Sequence, residues 1–358
     1  MIMPEFHKIL TDWYKQNKRD LPWRVNNDPY YVWVSEIILQ QTRVDQGINY
    51  FIRFIDRFPN IDSLANAPEN EVLKVWQGLG YYSRARNMHK AAQQVMSGFN
   101  GYFPKTYIDI ENLKGVGSYT ASAIASISYG LPFAVVDGNV FRVLSRIFGI
   151  ETPIDSTTGK REFTKLANTL LDKPNPGTYN EAIMEFGALQ CVPRNPNCNS
   201  CPFQVQCVAF NKAEISKLPV KANKTKIRHR YFNYLYLKHE KSIYLEKREQ
   251  NDIWKNMYQL PLIESLNALS IEELLSSEEF KSLFKKPGVI IDSVGGEIIH
   301  LLSHQRLHVK FIEISLLHSE THPTWLKIPL ETVSEYPVPR LIDNFLLEKS
   351  RNKMEHHS

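Results

Sequence analysis

All four cysteines of this 358-residue chain fall between Cys191 and Cys207, spaced Cys191-x6-Cys198-x2-Cys201-x5-Cys207. A disulfide scaffold spreads its cysteines to staple distant segments, whereas four thiols in one short stretch surround a single metal centre. The chain must therefore fold a compact loop around such a centre, with ordered structure on both sides of it. Tetrahedral zinc and a cubane iron–sulfur cluster both accept four thiolates, and the spacing leaves both open.

On the N-terminal side the hydrophobic period is helical. Asp28-Pro29 is a helix start, with Asp as N-cap and Pro at the first helical position. The helix it opens carries Tyr30, Trp33, Val34, Ile37, Ile38 and Gln41 on one face. Further amphipathic segments are expected at Tyr50–Arg57, Glu69–Trp76, Arg84–Met96, Phe163–Leu171 and Tyr179–Leu189. Residues 1–211 thus read as one mainly α region. Lys212 to Arg230 holds seven Lys/Arg and one Glu and reads as a basic linker over 212–230. Beyond it the period becomes two. Tyr231–Leu237, Ser242–Glu246, Val289–Ile291 and Lys310–Ile314 read as strands and Ser270–Phe284 as helical, giving an α+β domain over 231–347. Residues 348–358 are polar and read as a frayed tail.

A hydrophobic content of 43% supports two cores, and 23% charged residues excludes a disordered polyampholyte. The net charge of +5 fits a polyanion partner. No basic and apolar leader opens the chain. The uncharged stretch from Ser118 to Val136 is broken by Gly130-Leu131-Pro132, a buried helix plus a turn rather than a membrane span. A soluble, intracellular monomer is expected, with no membrane partner. The missing transit segment suggests a bacterial cytoplasm, at the nucleoid.

Two features carry chemistry. Gly115-Val116-Gly117-Ser118 lies between helical segments. Its glycines let the backbone approach a ligand, and the helix beginning near Ser118 aims free N–H groups at an anion, with phosphate the natural choice. The Lys-Ser/Thr of a nucleotide-binding loop is missing after the second glycine. The second feature is a pair of carboxylates. Glu36 is the sole charged residue between Pro29 and Gln41, among Val32, Trp33, Val34, Ile37, Ile38 and Leu39. Burial there raises its pKa toward that of a general acid at neutral pH. Asp137 precedes the helix Val140–Ile147, whose dipole favours its anion. One neutral and one anionic carboxyl is the division that glycosidic cleavage requires.

These residues resemble a known family. Gly115-Val116-Gly117, followed twenty residues later by Asp137, resembles the helix-hairpin-helix glycosylase superfamily, with the hairpin over about 109–130. The cysteine run is similar to the [4Fe–4S] loop of its endonuclease III and adenine glycosylase branches, over 191–207. Arg19-Asp20-Leu21-Pro22-Trp23-Arg24, Trp33 to Thr42, Gly78 to Asn87 and Val136 to Val140 resemble the adenine DNA glycosylase family. The resemblance implies base excision of adenine opposite 8-oxoguanine, or guanine, in double-stranded DNA. It also implies a [4Fe–4S] cluster held by Cys191, Cys198, Cys201 and Cys207. Glu36 matches the acid that protonates adenine at N7, and Asp137 the carboxylate that stabilises the sugar cation or its adduct. Tyr119 and Asn139 match residues supporting that step. Trp23, Arg24 and Glu181 match the adenine pocket, and Gln41 and Tyr81 the wedge that fills the stack after the base is flipped out.

Tyr119 stands where the endonuclease III branch has its Schiff-base lysine, so a monofunctional glycosylase is expected. The C-terminal domain resembles a MutT/Nudix-like lesion-recognition module through Trp254 and Gln259-Leu260-Pro261. It lacks the Glu-rich metal helix of hydrolysing members, which weighs against a nucleotide pyrophosphatase. Where the family reads oxidised guanine with Phe-Ser-His, this chain has Leu302-Ser303-His304. Ser303 and His304 keep the hydrogen-bonding groups and Leu302 loses the aromatic. The alternatives are an endonuclease III-like glycosylase/lyase and a non-catalytic DNA-binding module; Tyr119 opposes the first and retention of both carboxylates the second.

Overall fold

A computed structural model describes residues 5–222, 227–284 and 287–355, with side chains as far as residue 351. The helices in chain order begin with α1 (Phe6–Asn17), α2 (Pro29–Leu39), α3 (Val44–Arg57), α4 (Ile61–Asn66) and α5 (Glu69–Val75). They continue with α6 (Ser83–Phe99), α7 (Tyr107–Glu111), α8 (Ser118–Tyr129), α9 (Gly138–Phe148), α10 (Thr157–Leu170), α11 (Pro176–Leu189) and α12 (Val208–Asn211). After the sheet begins come α13 (Ile271–Ser276), α14 (Glu278–Ser282) and α15 (Arg340–Glu355).

The chain divides into two units, Met1–Asn66 with Asn87–Lys224 and Ala67–Arg86 with Thr225–Ser358. Residues 1–211 were expected as one region. Instead 67–86 belong with the second unit, because hydrogen bonds tie them there. Arg86 donates to the Lys255 carbonyl at 2.8 Å, and Gln77 accepts from the Val338 N–H at 3.1 Å.

In the first unit Asp28 caps α2 as expected, its side chain accepting from the Tyr30 N–H at 2.8 Å. Helix α2 is buried from Val32 to Ile38 and packs on α8, where Ala121, Ala123, Ala125 and Ser126 are small enough for close approach. A second core gathers α1, α9 and α11. There Phe6 stacks on Phe203 at 4.9 Å and Phe186 meets Phe203 edge-on at 5.4 Å. Each such fully buried ring stabilises by about 2–3 kcal/mol.

The expected linker is only partly one. Leu218 is buried, the Val220 carbonyl accepts from the Ile154 N–H at 3.0 Å, and a strand has begun by Arg228. Apolar and backbone groups in this segment outweigh its charge. Of that stretch, 223–226 lie outside the described residues.

Among the described residues, the second unit is built on an eight-stranded sheet. Its strands are β1 (Arg228–His239), β2 (Ser242–Lys247), β3 (Tyr258–Gln259), β4 (Leu262–Ser265), β5 (Val289–Val294), β6 (Ile298–Leu301), β7 (Gln305–Leu316) and β8 (Trp325–Pro329). Strands β1 and β7 run parallel at its centre, with Leu235 opposite Ile312 and Leu237 opposite Ile314. Helices α13 and α14 cover that face through Leu274 and Phe280. The single helix expected over 270–284 is broken at Ser277, whose hydroxyl caps α14 by accepting from the Phe280 N–H. The expected frayed tail is a correction. Helix α15 continues through Glu355, with Ile342 and Phe345 buried and Lys349 paired with Glu313. Residues 356–358 lie outside the described part. Among the described residues, no helix is long and apolar enough to cross a membrane.

Candidate active site and cysteine centre

Within the first unit a cleft of about 670 Å³ is lined by residues from distant parts of the sequence. Trp23 and Arg24 reach it from a short 3-10 turn and Glu36 from α2, while Gln41, expected on the face of that helix, lies just beyond its end at φ +58. Tyr119 comes from the first turn of α8, Asp137 and Asn139 from the start of α9, and Glu181 from α11. The structure therefore brings together the expected adenine-pocket residues and both carboxylates.

Glu36 is 9% exposed. Burial pushes its carboxyl up to about 7. A hydrogen bond from Tyr119 works against that shift, the negative charges of Asp137 and Glu181 add to it, and Arg24 opposes it. A carboxyl so placed is protonated in a large share of molecules at neutral pH. Asp137 is the N-cap of α9. Its Oδ1 accepts from the Val140 N–H at 2.8 Å and its Oδ2 from the Asn139 amide at 2.8 Å. Burial raises its pKa as well, and those hydrogen bonds and Arg142 hold it down. The N–H groups at the start of α9 act in the expected direction, while desolvation, the largest influence, opposes them.

Asn139 is held in turn. Arg142 Nη2 donates to its Oδ1 at 2.8 Å and to the Gly187 carbonyl at 2.7 Å, while Arg142 Nε donates to the Cys191 carbonyl at 2.7 Å. The half-buried Tyr119 hydroxyl lies within reach of Glu36 and also donates toward Met184 Sδ at 3.1 Å.

The opposite wall was only partly foreseen. Arg24 pairs with Glu181 at 3.5 Å and with Glu185 at 3.0 Å. Arg19 binds both oxygens of Glu185 at 2.8 Å, and Tyr14 donates to Glu181 at 3.1 Å. Glu185 is 2% exposed; burial alone would raise its pKa, but bonds from Arg19 and Arg24 hold it down at about 2. Glu181, with weaker partners, is raised by burial. Trp23 is buried edge-on against Phe51 at 5.4 Å.

The glycine hairpin joins α7 to α8. Gly115 has φ +80, and a Cβ there would stand 2.6 Å from Asn87 Cβ. Val116 is buried, whereas a Cβ on Gly117 would meet open space. Gly117 and Ser118 line the cleft beside the free N–H groups of α8.

Tyr81, Ser303 and His304 lie in the second unit. Tyr81 is 44% exposed at φ +48, with the Arg84 guanidinium 5.4 Å from its ring. Its hydroxyl hydrogen-bonds the Ser303 hydroxyl, so two residues singled out separately meet. Ser303 and His304 form the exposed turn between β6 and β7.

Cys191, Cys198, Cys201 and Cys207 all line one small cavity and form no disulfide. Burial raises the thiol pKa of Cys201 to about 11, and its three neighbours would add mutual repulsion as thiolates. Among the described residues no three His, Cys, Asp or Glu side chains converge as a site for one metal ion. The donor set, four sulfurs lining one cavity, fits a thiolate-bound group. Arg146, 2% exposed, braces the loop: it donates to the carbonyls of Val192 at 2.8 Å, Pro193 at 3.0 Å, and Ile215 and Leu218 at 3.1 Å, and toward Cys191 Sγ at 3.6 Å.

Arg142, Arg146 and Glu185 escaped the sequence reading. Glu185 carried a usable signal, a charge one turn from Glu181 in an otherwise apolar helix. The arginines carried none, since most of their partners are backbone carbonyls.

The HhH-GPD superfamily base excision DNA repair protein family matches residues 34–169, and the NUDIX domain family residues 233–348. The chain is 33% identical over 351 residues to an adenine DNA glycosylase of Buchnera aphidicola subsp. Acyrthosiphon pisum (strain APS), spanning 95% of this chain and 97% of that one. It is 43% identical over 222 residues to the adenine DNA glycosylase of Mus musculus, 60% of this chain and 43% of that one. Among solved structures, a thermostable thymine-DNA glycosylase superposes with TM-score 0.54 and 28% identity, over 58% of this chain and 95% of that one. An endonuclease III bound to DNA superposes with TM-score 0.51 and 22% identity, over 60% of this chain and 99% of that one, a likeness of fold.

Proposed function

Because the chain belongs to the adenine DNA glycosylases, base-excision enzymes that hydrolyse the N-glycosidic bond in DNA, we propose that its substrate is adenine paired with 8-oxoguanine, or with guanine, in duplex DNA. The carrying observation is Glu36, buried, with a pKa near 7, in one cleft with Asp137 and Asn139.

The target nucleotide leaves the duplex, since an enclosed cleft cannot reach a stacked base. Trp23, Arg24 and Glu181 then hold the adenine. Neutral Glu36 gives its proton to N7, which lets the base depart with the electron pair of the N-glycosidic bond. Positive charge builds on the sugar, and Asp137, kept in place by Asn139, stabilises it as the anion. Water completes hydrolysis at C1′. Tyr119 offers no amine, so no imine forms and the strand stays intact. Gly115, Val116, Gly117 and Ser118 hold the DNA backbone through α8 N–H groups. Gln41 and Tyr81 fill the vacated stack, and Ser303 and His304 supply hydrogen bonds to the opposite, oxidised base. The second unit reads the lesion rather than hydrolysing nucleotides. Cys191, Cys198, Cys201 and Cys207 would hold a [4Fe–4S] cluster through four thiolates.

The test is a duplex carrying adenine opposite 8-oxoguanine. The expected product is an abasic site that breaks only after alkali. Breakage without alkali through a borohydride-trappable imine overturns the monofunctional assignment. Equal rates opposite 8-oxoguanine and thymine overturn the substrate. A colourless preparation holding one zinc and no iron or sulfide per chain overturns the cluster.

A further inference from the structure

At one end of the sheet in the second unit, two arginine side chains stand without partners among the described residues. Arg228 opens β1 and Arg306 lies in β7, both beside the turn that carries Ser303. The turn is closed by the Leu302 N–H, which donates to the Gln305 carbonyl at 2.9 Å. It is fastened to β1 by the Arg228 N–H, which donates to the His304 carbonyl at 2.9 Å. Register sets Arg228 opposite Gln305 and His229 opposite Arg306. Side chains alternate along a strand, so the two guanidinium groups project from opposite faces of the sheet and straddle the turn.

Both side chains are exposed, and among the described residues neither makes a hydrogen bond, ion pair or ring contact. The neighbouring carboxylates are already engaged. Glu264 accepts from the buried Arg230 at 2.6 Å. Asp252 accepts from Arg230 at 3.0 Å and from Arg248 at 2.8 Å. Glu297 faces His308 at 3.1 Å. The protein thus balances its interior charges in this region and leaves two forked donors uncompensated on either side of one turn. Such groups suit phosphate oxygens, which a guanidinium can bind through two parallel N–H bonds.

We propose that Arg228 and Arg306 neutralise two phosphates of the DNA strand whose base faces Ser303, one on each side of the turn. This rests on the reading of Ser303 and His304 as contacts to the oxidised base. The division of labour is then clear: the turn reads the base, and the arginines set where the strand lies, without reading sequence.

The experiment measures equilibrium binding of the full chain to duplexes carrying a non-cleavable adenosine analogue opposite 8-oxoguanine or guanine, over a series of salt concentrations. Each lost phosphate contact lowers the steepness of log K against log salt by about 0.9. Arg228→Ala and Arg306→Ala are each expected to show that change and the double variant about twice it. Affinity should fall by the same factor for both duplexes. Arg228→Lys and Arg306→Lys should keep the original slope, which separates charge from folding. Slopes unchanged in both alanine variants overturn the proposal, as does a loss confined to the 8-oxoguanine duplex. Ser303→Ala tests the underlying reading separately: it should erode the preference for 8-oxoguanine with the slope intact. If that preference survives while the arginine slopes fall, the base reading is wrong and the phosphate contacts stand.

Discussion

Arg24 donates through Nη2 to Glu185 Oε2 at 3.0 Å, tying one wall of the cleft to a buried carboxylate. Glu185→Gln leaves Arg19 and Arg24 short of a counter-charge. The expected destabilisation is about 3 kcal/mol, the low end for a broken buried pair because Arg19 is 31% exposed. The wild-type advantage is full above the ordinary glutamate range, since a depressed carboxyl stabilises the fold where it is ionised. It is lost as pH falls through about 2. Denaturant midpoints of the two proteins at several pH values check both statements.

Glu36 shifts the balance the other way. Its folded pKa of about 7 exceeds the ordinary 4.5, so the native state binds the proton more tightly than the unfolded chain. Stability therefore declines between those values and is flat above them, by about 3 kcal/mol in all. Glu36→Gln is expected to be more stable than wild type above pH 7, to match it below pH 4, and to release no base while still binding duplex. Urea titrations and a single-turnover assay test this.

Base release requires the protonated acid, so the single-turnover rate is expected to fall about tenfold per pH unit above 7. Tyr119→Phe removes a hydrogen bond that lowers the Glu36 pKa. The alkaline limb of its pH–rate profile should move to higher pH. A limb that stays in place shows that the hydroxyl does not act on Glu36.

The two hairpin glycines should separate folding from binding. Gly115→Ala forces an L side chain into φ +80 and against Asn87, and is expected to cost upwards of about 1 kcal/mol. Gly117→Ala meets open space at an ordinary φ of −106, so its stability should be unchanged. Its new methyl sits at the start of α8, where the DNA backbone is proposed to bind, so duplex affinity should fall. Thermal unfolding and binding assays on both variants check the contrast.

What the sequence reveals about this molecule follows the range of each interaction. Glu36 was legible because an ionisable group inside an apolar helix has no comfortable solvated alternative. Asp28-Pro29 and the cysteine run were legible because their meaning is local. The grouping of 67–86 with the sheet was not, since it rests on bonds such as Arg86 to the Lys255 carbonyl, 169 positions away. Strand β6 was missed because its residues Ile298–Leu301 are mostly exposed and lack the alternation of a half-buried strand. The burial that opposes ionisation of Asp137 was not legible, because the cleft around it is lined by residues from other elements of the sequence.

Arg146 sits in α9, forty-five positions before the first cysteine, yet its carbonyl bonds to Val192, Pro193, Ile215 and Leu218 draw both ends of the thiol-bearing segment into shape. With the proposed cluster held by those thiols, Arg146→Ala would loosen the loop that carries it while leaving the distant cleft intact.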